Sequence, residues 1–434
     1  MMEPSKMTTV DILYLSDRML LTDKCIPRAV IDELKRQGLI APGMQKIHFC
    51  GVISYAGGLA IFLPRNNSGS GEQKDIAAHY LLRAFLKFYR NKETGVLAED
   101  SGNQLIGGES LSLAVSLLDD YLANGLYVRR FKDKTTHTGK INWSRTILRS
   151  TAYPTHKGHL YIDLATTRSR YIANCETAKI QAYVIEELYS KFGLLWFGKS
   201  DIRDEQLLPV PKPSGSIEIQ IAYLRRELQL SYSERDIFLI RSLIRYLEHE
   251  KGTDLGGFLI GVRKFHSLWE TMLDECLVGK YPINNRLPIP VYQTSSDDFV
   301  PVANKGQRTD TVLRNIACTR IAVIDAKYYD AESPSSAPGW PDLVKQFYYH
   351  KIISYLEPAE TQISNHFIFP GTKKKLKAVH VAKRDIIART REDCLPDYSP
   401  IYCHYQDPLE LLRLYVGGGK LIELTREVFE LPNL

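Results

Sequence analysis

The spacing of apolar residues in the first half of the chain predicts a mixture of helices and strands. Pro27–Gln37 opens with a proline and is followed by Gly38, which is typical of a short helix. Lys46–Pro64 consists of two apolar runs around Gly57 and Gly58, a pattern that predicts a β-hairpin. The first half therefore indicates an α+β domain.

Glycine and proline divide the middle of the chain. An amphipathic helix is predicted over Glu176–Phe192, with Gly193 as its stop. Leu207–Gly215 contains three prolines and is the clearest break in the pattern. We therefore predict an N-terminal domain over residues 1–200, a helical connector over 201–254 and a C-terminal domain over 255–434.

The C-terminal half contains the charged residues that are most informative about function. Apolar residues recur every three or four positions from Phe258 to Cys276, which predicts a helix. Arg320–Lys327 is an apolar run that ends in an acid and a lysine, and such an end must open on solvent or on a functional site. Asp325 and Lys327 are two residues apart on an extended chain, so both side chains point to one face.

Composition places the chain among ordinary globular proteins. Its 434 residues are 44% hydrophobic and 24% charged, values that exclude a disordered, collagen-like or disulfide-scaffold protein. The net charge of +6 is compatible with nucleic acid but does not require it. The sequence has no apolar run that would predict a membrane span, no apparent secretory signal, and no CxxC pair among its 7 cysteines. We expect a cytoplasmic protein.

Three charged residues of the C-terminal half form a candidate catalytic group. Asp310 lies on the strand predicted before Asp325, and a hairpin can bring the two carboxylates together beside Lys327. Carboxylates hold Mg²⁺ through oxygen, and the metal activates a bound water and neutralises charge on a scissile phosphate. The lysine orients that water or stabilises the negative charge that develops. This combination is what metal-dependent phosphodiester cleavage needs.

The order of these residues and the segments around them resemble the PD-(D/E)xK nuclease superfamily, and within it the LlaJI-family restriction endonucleases, which are relatives of McrC. The resemblance spans most of the chain. It is carried by FCGVISYAGGLAIFLPRN, GKINWSRT, FHSLWETML, VIDAKYYD and PGWPDLVKQFYYHKII. The resemblance implies that the C-terminal domain has the α/β PD-(D/E)xK nuclease fold, a mixed central sheet flanked by helices.

The resemblance also implies roles for individual residues. Asp310 and Asp325 would be metal ligands, and Lys327 would be the catalytic lysine. Glu270, on its predicted helix, would be an additional acid at the metal. Gln346, on the helix after the strand, would face the site. The implied cofactor is Mg²⁺, for which Mn²⁺ is expected to substitute.

The sequence departs from the pattern of the superfamily at two positions. The proline that usually precedes the first aspartate is Thr309 here, and that proline is not a ligand. Where related nucleases have the motif Q-x-x-x-Y, this chain has Gln346 followed by His350 in place of the tyrosine. Any role for a tyrosine then falls to Tyr348, to Tyr349 or to neither.

Each candidate has a simpler interpretation. Asp310 could be an ordinary acid of a turn or strand edge, and Asp325 with Lys327 could be a surface ion pair. Glu270 could lie on a solvated helix face, and Gln346 could be a structural hydrogen-bonding residue that never meets metal. These alternatives stay open at the level of sequence.

Two further features concern partners. A basic run would suit contacts to DNA phosphates, although such runs are most often only solvated; it consists of Lys373, Lys374, Lys375 and Lys377. No GxxxxGK[ST] motif is present, so the chain binds no nucleotide in that way. The resemblance implies that a separate McrB-like AAA+ GTPase hydrolyses nucleotide and that the N-terminal domain binds it.

The sequence thus favours the DNA endonuclease subunit of an McrBC-like, LlaJI-type restriction system that defends against phage. It would hydrolyse double-stranded DNA with Mg²⁺. Two alternatives are a non-catalytic activator or scaffold of the GTPase ring and a stand-alone DNA repair nuclease. The intact acids and lysine weigh against the first, and the long N-terminal half has no obvious use in the second.

Overall fold

A computed structural model describes residues 11–66, 71–93, 105–156, 158–197, 204, 206–252, 259–302, 306–385 and 387–430. Within these ranges the chain is a mixture of helices and β-sheets. Among the residues that the structure describes, no helix combines the length and the apolar character needed to cross a bilayer.

The strands are β1 Ile12–Ser16, β2 Cys50–Tyr55, β3 Gly58–Leu63, β4 Leu105–Ile106, β5 Arg129–Thr136, β6 Lys140–Ile141, β7 Ala152–Thr155, β8 Gly158–Tyr161, β9 Ala165–Ile172, β10 Leu259–Val262, β11 Val291–Gln293, β12 Phe299–Pro301, β13 Thr311–Arg314, β14 Arg320–Ala326, β15 Gln362–Pro370, β16 Ala378–Val379 and β17 Ile401–Gln406. The helices are α1 Arg28–Arg36, α2 Glu72–Glu93, α3 Gly108–Asn124, α4 Trp143–Arg149, α5 Glu176–Phe197, α6 Ile217–Leu230, α7 Glu234–Gly252, α8 His266–Cys276, α9 Trp340–Leu356, α10 Pro408–Gly417 and α11 Ile422–Phe429.

The chain divides into two compact units. One contains residues 1–108, 195–198 and 257–434, and the other contains residues 109–194 and 199–256. These boundaries differ from the predicted division at residues 200 and 255, because β10 pairs with β2 and so brings the first hundred residues into one sheet with the C-terminal half. The assignment of partner binding to residues 1–200 and of catalysis to residues 255–434 remains a prediction.

The larger unit contains two five-stranded sheets. The first has the order β1-β3-β2-β10-β4, in which β1 and β3 are parallel and the other neighbours antiparallel. The second has the order β13-β14-β15-β17-β16. Its three central strands are parallel, and an antiparallel strand closes each edge.

The run of apolar residues in β14 follows from its central place in the second sheet. Six consecutive residues of this strand, from Ile321 to Ala326, are buried, as is typical of a parallel strand covered on both faces. Ile321 and Val323 pack against Tyr349 and Ile353 of α9. The hydrophobic effect therefore fixes α9 over the face of the sheet on which Asp325 also lies.

The smaller unit contains helices α3, α4, α6 and α7, most of α5, and antiparallel β-structure. Its sheet has the order β5-β9-β6, and β7 and β8 form a separate hairpin. Ion pairs join its helices and strands. For example, Arg235 Nε lies 3.0 Å from Asp120 Oδ1, and Arg129 Nη2 lies 2.9 Å from Glu227 Oε1.

Most of the predicted elements are present, and two differ. The helix that begins at Glu176 continues through Gly193 to Phe197, because one glycine costs a helix only about 1 kcal/mol. The helix predicted over Phe258–Cys276 is two elements, the strand β10 and then α8, with Phe258 itself outside the described residues.

Candidate active site

A strand register brings the two candidate carboxylates together. Strand β13 pairs antiparallel with β14, with Thr311 opposite Ile324. The same register continues by one residue to place Asp310 opposite Asp325. Asp325 is only 2% exposed. The predicted hairpin is therefore present, and the two side chains meet at a mostly buried edge of the second sheet.

Lys327 lies between two acids. Its Nζ is 3.1 Å from Asp325 Oδ2 and 2.7 Å from Asp342 Oδ1. Burial alone would lower the pKa of Lys327, but the two carboxylates outweigh it and hold that pKa above its ordinary value. Lys327 is therefore a fixed positive charge at the end of β14, and the simpler reading of an exposed surface pair with Asp325 does not describe its surroundings.

The two aspartates share a site that disfavours two negative charges. The pKa of Asp310 is raised to about 8, chiefly by burial and also by a hydrogen bond with Asp325, the charge of Asp325 and the charge of Glu270, while Lys345 opposes them. Asp310 therefore retains its proton for most of the time at neutral pH. A divalent cation would replace that proton and remove the repulsion.

Glu270 belongs to the electrostatic surroundings of Asp310. It lies one turn into α8 and is partly buried, and its charge helps to raise the pKa of Asp310. The same helix is tied to β13 because Thr311 Oγ1 donates to Asp274 Oδ1 over 2.8 Å. The sheet and α8 therefore place a third acid near the pair.

Gln346 is a buried amide with its polar atoms unused. It is 1% exposed, and neither its Oε1 nor its Nε2 has a hydrogen-bond partner among the residues that the structure describes. It lies on α9 one turn after Asp342 and one turn before Tyr349, on the face packed against the sheet. An unsatisfied buried amide is costly, so this position is suited to a ligand.

The neighbours of Asp310 explain the first departure from the superfamily pattern. Thr309 is buried, and its backbone N–H and Oγ1 donate to Asn284 Oδ1 over 2.9 and 2.8 Å, while Asn284 Nδ2 donates to Thr309 O over 3.2 Å. Three hydrogen bonds thus fix the residue before Asp310 without a proline. Tyr349 donates its hydroxyl to Arg308 O, on the other side of Thr309.

Of the two tyrosines left open by the sequence, Tyr349 is the one at the site. It is 2% exposed, whereas Tyr348 is 38% exposed. Burial raises the pKa of Tyr349, and the charges of Asp310 and Asp325 add to that effect. Tyr349 therefore remains a neutral hydrogen-bond donor beside the carboxylates.

The four lysines of the basic run are not equivalent. Lys374 Nζ lies 2.6 Å from Glu427 Oε2 on α11. Lys373 and Lys375 line a pocket of about 280 Å³, and Lys377 precedes β16, where its carbonyl accepts from Cys403 N over 2.9 Å. The run therefore contains two lysines that face a cavity and one that is held in an ion pair.

Asp342 is the main residue that sequence reasoning missed. It lies in the first turn of α9, where an acid is expected simply to complement the helix dipole. An acid at this position therefore gave no reason to expect a contact with Lys327. The only signal was its position within PGWPDLVKQ, the segment that follows the strand carrying Asp325.

The oxygen atoms around Asp310 and Asp325 fit the ligands that a divalent metal needs. Within the described residues, no three His, Cys, Asp or Glu side chains are already arranged as a metal-binding group. Mg²⁺ does not require three such side chains, because one or two carboxylates suffice when waters and a substrate phosphate complete its octahedral coordination. The facing pair Asp310 and Asp325 and the unused amide of Gln346 provide oxygen ligands of that kind.

Most of the chain is similar to one known family. The family model of the LlaJI restriction endonuclease matches residues 49–390, about four-fifths of the sequence. The chain belongs to the LlaJI restriction endonuclease family. All five candidate catalytic residues and all four candidate lysines lie inside the matched range. No match is found among curated proteins.

Two similar solved structures are of complexes from Thermococcus gammatolerans. A chain of the refined half-complex from a tetradecameric assembly of Thermococcus gammatolerans McrB AAA+ hexamers with bound McrC is 13% identical, with a TM-score of 0.39, and the match covers 94% of this chain and 99% of that chain. A chain of the Thermococcus gammatolerans McrBC complex is 11% identical, with a TM-score of 0.26 and coverage of 60% and 84%.

Proposed function

We propose that this member of the LlaJI family is the endonuclease subunit of an McrBC-like restriction system and hydrolyses DNA phosphodiester bonds with Mg²⁺. The observation that carries the proposal is the register that sets Asp310 opposite Asp325 with Lys327 beside them. The proposal includes a PD-(D/E)xK fold, and the mixed second sheet with α8 and α9 packed on it supports that fold.

Each residue has a proposed task. Asp310 and Asp325 would hold Mg²⁺, with Glu270 as an additional acid at its border and the Gln346 amide oxygen facing the same place. When bound, the metal supplies a Lewis acid that lowers the pKa of water and neutralises phosphate charge. Mn²⁺ is expected to substitute, because it accepts the same oxygen ligands.

The other side chains orient and stabilise. Lys327 would place its ammonium group against the scissile phosphate, where negative charge develops in the transition state. Asp342 would fix the direction of that ammonium group through their 2.7 Å contact. Tyr349 would hold the segment before Asp310 in place through its hydrogen bond to Arg308 O. Because these groups are largely buried, their charges act in a medium that screens them weakly.

The proposal includes a partner. A separate McrB-like AAA+ GTPase would bind residues 1–200 and deliver double-stranded DNA, because the chain has no P-loop of its own. This region exposes large apolar side chains, including Leu148 at 83% and Leu160 at 54%, and such side chains often mark contact surfaces. Leu148→Asp should weaken partner binding. Leu208→Asp, in the connector at 74% exposure, is the control.

The central test is removal of the charged group. Asp325→Ala and Lys327→Ala should each lower cleavage of plasmid DNA by at least about a hundredfold, with partner, GTP and Mg²⁺ present. The circular dichroism spectrum should be unchanged for Asp325→Ala, because losing one of two repelling carboxylates does not cost stability. Cleavage by either variant at the wild-type rate would refute the nuclease proposal.

A further inference from the structure

The cavity next to the basic run lies at the same edge of the sheet as the candidate catalytic residues. Strands β14, β15 and β17 are parallel, so their carboxyl ends meet at one edge. Lys327 follows β14 and donates its N–H to Ile368 O over 3.0 Å. Pro370, which ends β15, and Tyr405, near the end of β17, line the cavity. In open α/β sheets, ligands bind outside this edge.

The cavity has walls that are fixed by hydrogen bonds. Tyr405 donates its hydroxyl to Ala331 O over 2.7 Å and accepts from Leu376 N over 3.1 Å, which ties the lysine segment to the turn after β14. Asn66 Nδ2 donates to Pro370 O over 3.0 Å and closes another side. The cavity therefore belongs to the folded unit and does not depend on chance contacts between loops.

The cavity is lined by side chains of both charges. Lys373 and Lys375 are the basic ones, and Asp330 and Glu332 are the acidic ones. Asp330 is partly neutralised because Arg65 Nη2 lies 3.6 Å from its Oδ1. The volume of about 280 Å³ is near the lower end of that of ordinary ligand pockets. It suits one small polar group, such as the phosphate and sugar of a single nucleotide.

We propose that this cavity is a subsite for the DNA backbone next to the cleaved bond, with Lys373 and Lys375 as its phosphate contacts and Lys374 as a structural lysine. The inference rests on the proposed nuclease function. It divides the basic run by geometry: neighbouring lysines alternate between the cavity and the ion pair with Glu427. Their charge alone does not distinguish these three lysines from one another.

The alternation supplies a matched experiment. Full-length chain carrying Asp325→Asn binds a short DNA duplex of fixed sequence over a range of KCl concentrations, so no cleavage enters the measurement. Adding Lys373→Ala and Lys375→Ala should lower the slope of log affinity against log salt by roughly 1.8, about 0.9 for each phosphate contact. Lys374→Ala should leave the slope unchanged. Lys373→Arg with Lys375→Arg should restore it, since arginine keeps the charge.

Several results would overturn the subsite. These are an unchanged slope in the double alanine variant, a fall of equal size in Lys374→Ala, or no measurable binding by the parent chain at low salt. Inorganic phosphate at matched ionic strength should compete no better than chloride, and strong competition would identify a site for free phosphate instead. Because only binding is measured, a failure here is distinct from a failure of the cleavage test on Asp325→Ala.

Discussion

The ammonium group of Lys327 lies closer to Asp342 than to Asp325, at 2.7 Å against 3.1 Å. Asp342 is on α9, whereas Asp325 is on the strand that also carries the lysine. The helix therefore has a direct part in setting the direction of the side chain. Tyr329 adds to this arrangement because its hydroxyl donates to Asp342 Oδ2 over 3.3 Å.

The first prediction concerns this contact. Asp342→Asn keeps the size of the side chain but removes its charge, so Lys327 should lose its preferred direction. We expect plasmid cleavage to fall by roughly 10- to 100-fold, as for other residues that orient a catalytic group, while Mg²⁺ binding measured by calorimetry stays within about twofold. Glu248→Gln is the control, since it breaks an exposed ion pair with Arg225 of similar length, 2.6 Å. Equal activity of Asp342→Asn and wild type would remove Asp342 from the site.

A second prediction uses the unsatisfied amide of Gln346. Gln346→Leu replaces it with an apolar side chain of similar size, so the midpoint of thermal unfolding should rise, with a gain of about 1 kcal/mol or more. Cleavage should fall at the same time if the amide faces the metal. Stability and activity then change in opposite directions, which is typical of a functional site.

The control for Gln346 is another buried glutamine whose amide is used. Gln181 Oε1 accepts from Tyr127 N over 2.6 Å. Gln181→Leu should therefore lower the unfolding midpoint, because it leaves a buried N–H without a partner. A lower midpoint for Gln346→Leu as well would mean that the Gln346 amide is satisfied in solution.

The sequence predicted the carboxylate pair because strand geometry is local. Successive side chains of a strand point to opposite faces, so Asp325 and Lys327 lie on the same face. The hairpin that brings Asp310 to them is short. The short helix over Pro27–Gln37 was predicted to within one residue at each end, since a proline and a glycine mark its limits. In both cases the residues that decide the structure are near one another in the chain.

Features that depend on distant contacts could not be predicted in this way. The pairing of β10 with β2 joins residues that are about 200 positions apart and determines the boundaries of the compact units. The contact between Asp342 and Lys327 depends on how α9 packs over the sheet. Likewise, only the position of Glu427 on α11 distinguishes Lys374 from its neighbours.

The third prediction follows from the raised pKa of Asp310. Folding raises the pKa of this carboxyl from 3.8 to about 8, so between these values the folded state binds more protons than the unfolded state. This group should therefore favour folding below about pH 4 and lose its contribution as the pH rises to 8, by at most about 1.4 kcal/mol per pH unit. Urea unfolding from pH 5.5 to 8 should give a steeper decline for wild type than for Asp310→Asn. Parallel curves would mean that the two carboxyls do not share a buried site.

The last prediction concerns dependence on partner and metal. Alone, the chain should cut DNA poorly even with Mg²⁺, because a net charge of +6 over 434 residues attracts phosphate only modestly and that attraction falls with salt. It also has no evident element for reading base edges, so contacts to the DNA backbone alone do not select one phosphate for in-line attack. Adding the AAA+ partner and GTP should start cleavage. Ca²⁺ in place of Mg²⁺ should bind the carboxylates without supporting cleavage, because its coordination is looser. The measurement is plasmid cleavage with partner, GTP and metal omitted one at a time. Efficient cleavage by this chain alone would favour a stand-alone nuclease.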